Sequence, residues 1–142
     1  LDTEKPTEDW AALGVTPRNG PLAPGLKASI LLPQGRKGPA FLIYPNYRVL
    51  FEWNKSFVYV TTAAYFGTRI EGADPYAAGN PDPALEPDQM TALQEKLAAL
   101  GHDVGKIDGI LGAGTRAAVQ KEQVRLGLPA DGWPTRDLLD AL

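Results

Sequence analysis

Cysteine is absent from the 142 residues, and histidine and methionine occur once each. Without a thiol there is no disulfide framework, no thiolate metal site and no thiol nucleophile. The single imidazole, His102, with Asp103 beside it cannot build a structural zinc site. No serine sits in a nucleophile elbow that would make a triad with it. No metal or cofactor is therefore expected. No apolar run approaches the ~20 residues that span a bilayer, so no membrane span is expected. The first residues, Leu1-Asp2-Thr3-Glu4, carry neither a starting methionine nor a basic-then-apolar leader, which reads as a piece of something longer. Positive charge is not in excess either: the net charge is −3, and with no basic stripe nucleic acid is not an expected partner.

Proline and glycine are plentiful, at 13 and 15 residues, and they punctuate the chain. The stretch Gly72-Ala-Asp-Pro-Tyr-Ala-Ala-Gly-Asn-Pro-Asp-Pro-Ala-Leu-Glu-Pro87 has no apolar periodicity, and its prolines forbid a regular helix. We read residues 72–86 as a semi-extended linker between a unit at 1–71 and a second at 87–142. In the first unit, Leu26–Leu32 and Pro39–Tyr44 pair as a hairpin around Pro33-Gln-Gly-Arg-Lys-Gly38. From Asn46 to Ile70, the spacing of Val49, Leu50, Trp53, Phe57, Val60, Ala64, Gly67 and Ile70 favours helix, with a break near Asn54 to Ser56. Composition points the other way at Phe57-Val-Tyr-Val-Thr-Thr62, which is rich in strand formers; spacing carries more weight.

The second unit reads as three helices. Asp88 caps the first, with Met90, Leu93, Leu97 and Leu100 on one apolar face and Gly101 as its stop. The second runs from about Ala113 to Leu126, with Ala118, Val119 and Leu126 inward, and Gly127 ends it. The third starts near Thr135 and buries Leu138, Leu139 and Leu142. A core of ~55 residues is marginal, so Val104, Ile107, Ile110, Leu111, Leu128 and Trp133 are expected to pack as well. The unit contains an echo: Asp108-Gly109 leads to Thr115-Arg116, and Asp131-Gly132 leads to Thr135-Arg136. Both Asp-Gly pairs are first of all turn chemistry. Thr115 and Thr135 are read as helix-entry residues, and Arg116 and Arg136 as a solvated face or a fork for a carboxylate.

Two stretches carry a resemblance to one family. Gly38-Pro-Ala-Phe-Leu-Ile-Tyr-Pro-Asn-Tyr47, followed by Trp53-Asn-Lys-Ser-Phe-Val-Tyr59 and Ile70, resembles the end of the catalytic domain of B-type soluble lytic murein transglycosylases. Residues 87–142 resemble the peptidoglycan-binding domain that closes several of them. The fold implied is mainly α: the C-terminal part of a lysozyme-like domain with a small β-hairpin, then a three-helix peptidoglycan-binding module. The activity implied is a soluble, periplasmic one, cleavage of the β-1,4 bond between MurNAc and GlcNAc during cell-wall turnover. One glutamic acid protonates the leaving oxygen. Its carboxylate then helps the C6 hydroxyl close a 1,6-anhydro ring, so no water is consumed. That role needs a carboxyl of raised pKa in a partly dry groove. The family's glutamate is followed by serine, and no Glu-Ser pair occurs here. The chain alone is therefore not expected to be an enzyme, although its parent is; the N-terminal remainder of the same protein is an implied partner.

The resemblance places Trp53, Asn54, Ser56 and Tyr59 along the wall of the glycan groove. An aromatic, an amide and a hydroxyl suit sugars, whose apolar faces are edged by polar groups. In the module, His102, Asp103, Asp108, Arg116 and Glu122 are the candidate peptidoglycan contacts. His102 is either a turn residue or part of a groove. Glu122 stands where the module family commonly has a buried aromatic; it either turns to Arg125, Arg116 or Lys121, or lines a modified groove. Trp133 is read as partly core. The ligand element, glycan or stem peptide, stays open. Rival readings are a wall anchor for another enzyme, and a module that docks cell-wall synthesis proteins, neither with a catalytic role.

Overall fold

The computed structural model describes residues 3–18, 20–54 and 56–142. These form two compact units: the residues through Leu31 with Ala40–Pro75, and Leu32–Pro39 with Tyr76–Leu142.

The first unit begins with β1 (Lys5–Pro6), α1 (Thr7–Ala12), β2 (Lys27–Leu31) and β3 (Phe41–Ile43). The expected hairpin forms, antiparallel, with Ser29 opposite Ile43 and Leu31 opposite Phe41. A strand the sequence reading missed, β1, adds antiparallel to its other edge through Lys5 and Ala28. Two residues are too few for a periodic signal. Pro6, which cannot donate to a ladder, ends this edge strand and leads straight into α1. Short α1 was also missed; it is anchored by the Trp10 indole N–H, which donates to Ala28 O at 2.8 Å.

Residues 45–70 are helical, so the spacing outweighs the strand propensity. The helices are α2 (Pro45–Trp53) and α3 (Phe57–Ile70), separated where the break was expected. Pro45 opens α2, where its missing N–H costs nothing. Ser56 caps α3 by accepting the Tyr59 N–H at 3.3 Å. Their inner faces close on β2 and β3 through Leu31, Ile43, Tyr47 and Val60. Val49, Val58, Phe66 and Ile70 face outward and are exposed.

The second unit holds α4 (Pro87–Ala99), α5 (Ala113–Arg125) and α6 (Arg136–Ala141). Leu93, Leu97, Val119 and Leu138 are its fully or almost fully buried centre. Gly101 and Gly127 both take positive φ, 87° and 69°, one residue past the C-caps of α4 and α5. Four expectations need correction. The cap of α4 is Glu86, in a reciprocal capping box with Gln89, and Asp88 lies in the first turn. Leu100 is exposed, because Gln94 rather than Leu100 completes the buried face of α4. Ile107, Ile110 and Leu128 are exposed too, while Val104, Leu111 and Trp133 pack. Thr115 lies within α5 rather than at its entry, fully buried, and donates to Val104 O at 3.2 Å. Thr135 does cap α6, accepting from Leu138 N.

Candidate functional site

In the first unit the four candidate residues occupy the α2–α3 junction. Asn54 Oδ1 accepts the Ser56 N–H at 2.8 Å, and Ser56 Oγ accepts the Tyr59 N–H. Two side chains thus build the turn that lets α3 restart. That turn sets the Trp53 and Tyr59 rings together at 5.4 Å between centroids, tilted by 58°. Trp53 is 71% exposed and Tyr59 46%. Such exposed aromatic area is costly unless something covers it, and two tilted rings suit an amphipathic ligand face. Among the described residues here, the Asn54 amide hydrogens and the Tyr59 hydroxyl take no part in these turn bonds.

Among the described residues of the first unit, no carboxylate residue is buried as a general acid in a dry groove would be. Glu8 accepts the Gly25 N–H at 2.7 Å, and that backbone bond holds its pKa below the usual glutamate value. Glu4 reaches Arg48 at 3.6 Å.

In the second unit only two of the five candidate residues are in direct contact. His102 Nε2 and Glu122 Oε1 lie 2.7 Å apart, and the other Glu122 oxygen accepts from Arg125 at 2.6 Å. The Glu122 side chain is only 5% exposed. Its pKa is lowered chiefly by the His102 hydrogen bond, with Arg125 adding and burial opposing. Glu122 therefore turns to Arg125, as one reading held, and to His102, which was not anticipated. Asp103 and Asp108 make turns, accepting the N–H of Gly105 and Ile110 at 3.0 Å each.

Arg116 corrects the solvated-face reading. It donates to Pro33 O at 2.7 Å and lies over the Trp133 ring at 5.6 Å from the centroid. Burial lowers its pKa, with the Asp131 charge opposing. Arg136, its counterpart in the echo, is on the surface and pairs with Asp140 at 3.0 Å.

Both Asp-Gly turns are gripped by a buried glutamine that the reading of motifs passed over. Gln94, with no exposed surface, donates to Lys106 O, Ile110 O and Thr115 Oγ1 and accepts from the N–H of Asp108 and Gly109. Gln123 does the same at the second turn, donating to Asp131 Oδ1 and Trp133 O and accepting from Gly132 N–H. The available signal was a glutamine inside each inward helix face, beside Leu93 and Leu97 in α4 and near Val119 in α5.

The second turn borders a pocket of about 450 Å³, lined among others by Arg36, Asp131, Trp133, Asp137 and Leu138. Asp131 anchors one wall: it accepts from Arg36 N and Trp133 N, at 2.9 and 3.0 Å, besides Gln123. Burial alone would raise its pKa, but these bonds outweigh burial and lower it. Among the described residues no group of three His, Asp or Glu side chains could hold a metal ion. No helix there is long and apolar enough to cross a membrane.

Residues 1–68 match the model of the transglycosylase SLT domain, and residues 86–142 match that of a peptidoglycan binding domain. Among solved structures, the chain is similar to the crystal structure of SltB3 from Pseudomonas aeruginosa in complex with NAG-anhNAM-pentapeptide. The identity is 40% and the TM-score 0.77, over 99% of this chain and 39% of that one. It is also similar to the same protein in complex with NAG-NAM-pentapeptide, at 40% identity and TM-score 0.76, covering 98% and 39%. The chain thus spans about two fifths of the length of these relatives. No match was found among curated proteins. The likeness extends to the expected fold, mainly α with a small antiparallel sheet and then a helical module.

Proposed function

With residues 1–68 belonging to the transglycosylase SLT family and residues 86–142 to the peptidoglycan-binding domain family, we propose that the chain is the C-terminal part of a lytic murein transglycosylase. Its parent is a periplasmic enzyme that cleaves the MurNAc–GlcNAc bond and leaves a 1,6-anhydroMurNAc end. The domains are residues 1–71, a linker at 72–86 and the module at 87–142. The observation that carries this reading is the Trp53–Tyr59 pair, exposed at a junction held by Asn54 and Ser56. It supplies the apolar face and polar rim that a sugar requires.

In this reading Trp53 supports a sugar ring, while Tyr59 and the Asn54 amide hydrogen-bond its substituents. They fix the glycosidic oxygen before the acid, which the N-terminal remainder supplies. The exposed Val49, Val58, Phe66 and Ile70 fit a surface that this remainder covers. The module keeps the enzyme on the wall, so each new cut begins at high local substrate concentration.

Co-sedimentation with purified sacculi tests the binding half, and the chain is expected in the pellet. The catalytic half is tested in the full-length parent with Asn54→Ala and Tyr59→Ala. Each is expected to lower the release of anhydro-muropeptides at least tenfold. Turnover unchanged by both would make this chain a wall anchor or protein-docking module without a catalytic role.

A further inference from the structure

The pocket beside the second Asp-Gly turn has a charge pattern that selects among the parts of peptidoglycan. We propose that it binds the stem peptide, taking a peptide carboxylate on Arg36 and a peptide amine on Asp137. This rests on the reading of the module as a peptidoglycan binder and names the element it reads.

Most charges around the pocket are already committed. Lys37 pairs with Asp82 at 2.7 Å, Arg136 with Asp140 at 3.0 Å, and Asp131 accepts three N–H donors. Arg36 uses only its backbone N–H in that set, and its guanidinium has no ion-pair partner among the described residues. Asp137 has none either, and both side chains belong to exposed residues that line the pocket. One uncommitted cation and one uncommitted anion in the lining of a pocket of about 450 Å³ suit a ligand with both charges. A guanidinium fork is well matched to a carboxylate.

A sugar ring is a poorer fit. Among the described residues the only aromatic in the lining is Trp133, which is 9% exposed. Its indole N–H already donates to Asp82 O at 3.0 Å, and the Arg116 guanidinium lies over its ring. One ring face is thus taken by Arg116, and little of the residue is exposed for stacking. Leu85, Leu128, Pro83 and Pro129 instead supply small apolar patches of the size of alanine methyl groups.

The test titrates the whole chain by calorimetry with an N-acetylated stem tripeptide ending in diaminopimelate, whose one remaining amine is on that residue. Peptide-free glycan strands serve as competitor. Arg36→Gln and Asp137→Asn are each expected to raise Kd about five- to tenfold, with Arg36→Lys falling between. Blocking the diaminopimelate amine should weaken binding to the wild type and not further to Asp137→Asn. Unchanged thermal midpoints, expected for two exposed side chains, tie these losses to the ligand. Wild-type affinity in both variants, or competition by peptide-free glycan, overturns the proposal. Sacculus affinity that neither substitution lowers overturns the pocket and leaves the module a wall binder. No sacculus binding by the wild type overturns both.

Discussion

Replacing Gln94 by leucine, of similar volume and without polar atoms, removes the clamp on the first Asp-Gly turn. Its amide nitrogen has two hydrogens distributed over Lys106 O, Ile110 O and Thr115 Oγ1, at 3.1, 3.0 and 3.2 Å. Its oxygen takes the N–H of Asp108 at 3.1 Å and of Gly109 at 2.9 Å. That is four bonds' worth of hydrogens, and a net ~1 kcal/mol each gives about 4 kcal/mol. Asp108, Lys106 and Ile110 are exposed residues, so their freed backbone groups can recover some bonding to water. That lowers the expected loss to about 3 kcal/mol. A module of this size is worth only roughly 3–8 kcal/mol in all, so the substitution consumes much of its stability. Urea unfolding followed by circular dichroism gives the loss, and hydrogen exchange at the Asp108 and Gly109 amides locates it. A loss below about 1 kcal/mol with both amides still protected would refute the clamp.

Three further outcomes follow from neighbouring observations. Glu122 has a folded pKa below its ordinary 4.5, so its contribution is fully present above the unfolded value and lost as pH falls through the folded one. Glu122→Gln should therefore flatten the acid limb of module stability below about pH 4.5, and an unchanged limb would remove Glu122 from that role. Gly35 has φ +72°, and a Cβ there would lie 2.7 Å from Trp133 Cβ and 2.9 Å from Asp131 Oδ2. Gly35→Ala is expected to cost about 1–3 kcal/mol through αL strain and that clash; a wild-type melting temperature would contradict this close approach. Trp53→Ala should change stability by less than about 1 kcal/mol, since the ring is largely exposed, yet lower the parent's turnover several-fold. A large stability loss without a turnover defect would make Trp53 structural.

Much of the helical frame was legible because its signals are local and periodic. The break at Asn54–Ser56, the stops at Gly101 and Gly127 and the apolar faces around Leu93, Val119 and Leu138 all lie where spacing and punctuation put them. The failures share a physical cause: they depend on partners distant in sequence. Arg116 looked solvated because nothing within its helix shows that Pro33 and Trp133 receive it. Ile107 and Ile110 looked buried because their hydrophobicity is visible and their place on an outward loop is not. The glutamines were overlooked because a buried amide is recognised only by the backbone it satisfies. For the candidate site, the resemblance supplied Trp53, Asn54, Ser56 and Tyr59 as a set, and their adjacency follows from the short junction between α2 and α3. Nothing comparable linked Arg36 to Asp137.

The two echoes of the module keep one device and diverge in everything around it, and that divergence localises the pocket. In each, a glutamine on the preceding helix reads an Asp-Gly turn through its backbone. At the first turn the hydroxyl of Thr115 closes the network inside the core, while Asp108 bonds only its local Ile110 N–H. The exposed side chains beside this turn are those of Ile107 and Ile110. At the second turn Thr135 instead caps α6, and Asp131 is free to take both Gln123 and the incoming Arg36 N–H. Trp133 then stands where the first echo has Ile110, with Arg116 over its ring. A bulky turn residue, a cation beside it and a carboxylate that accepts the Arg36 N–H border the pocket at the second turn. The glutamine clamp holds both turns; around the second, Asp131 and Trp133 line the pocket. The same stability device thus supports two turns whose surroundings differ in the side chain that follows Gly109 and Gly132, Ile110 at the first and Trp133 at the second.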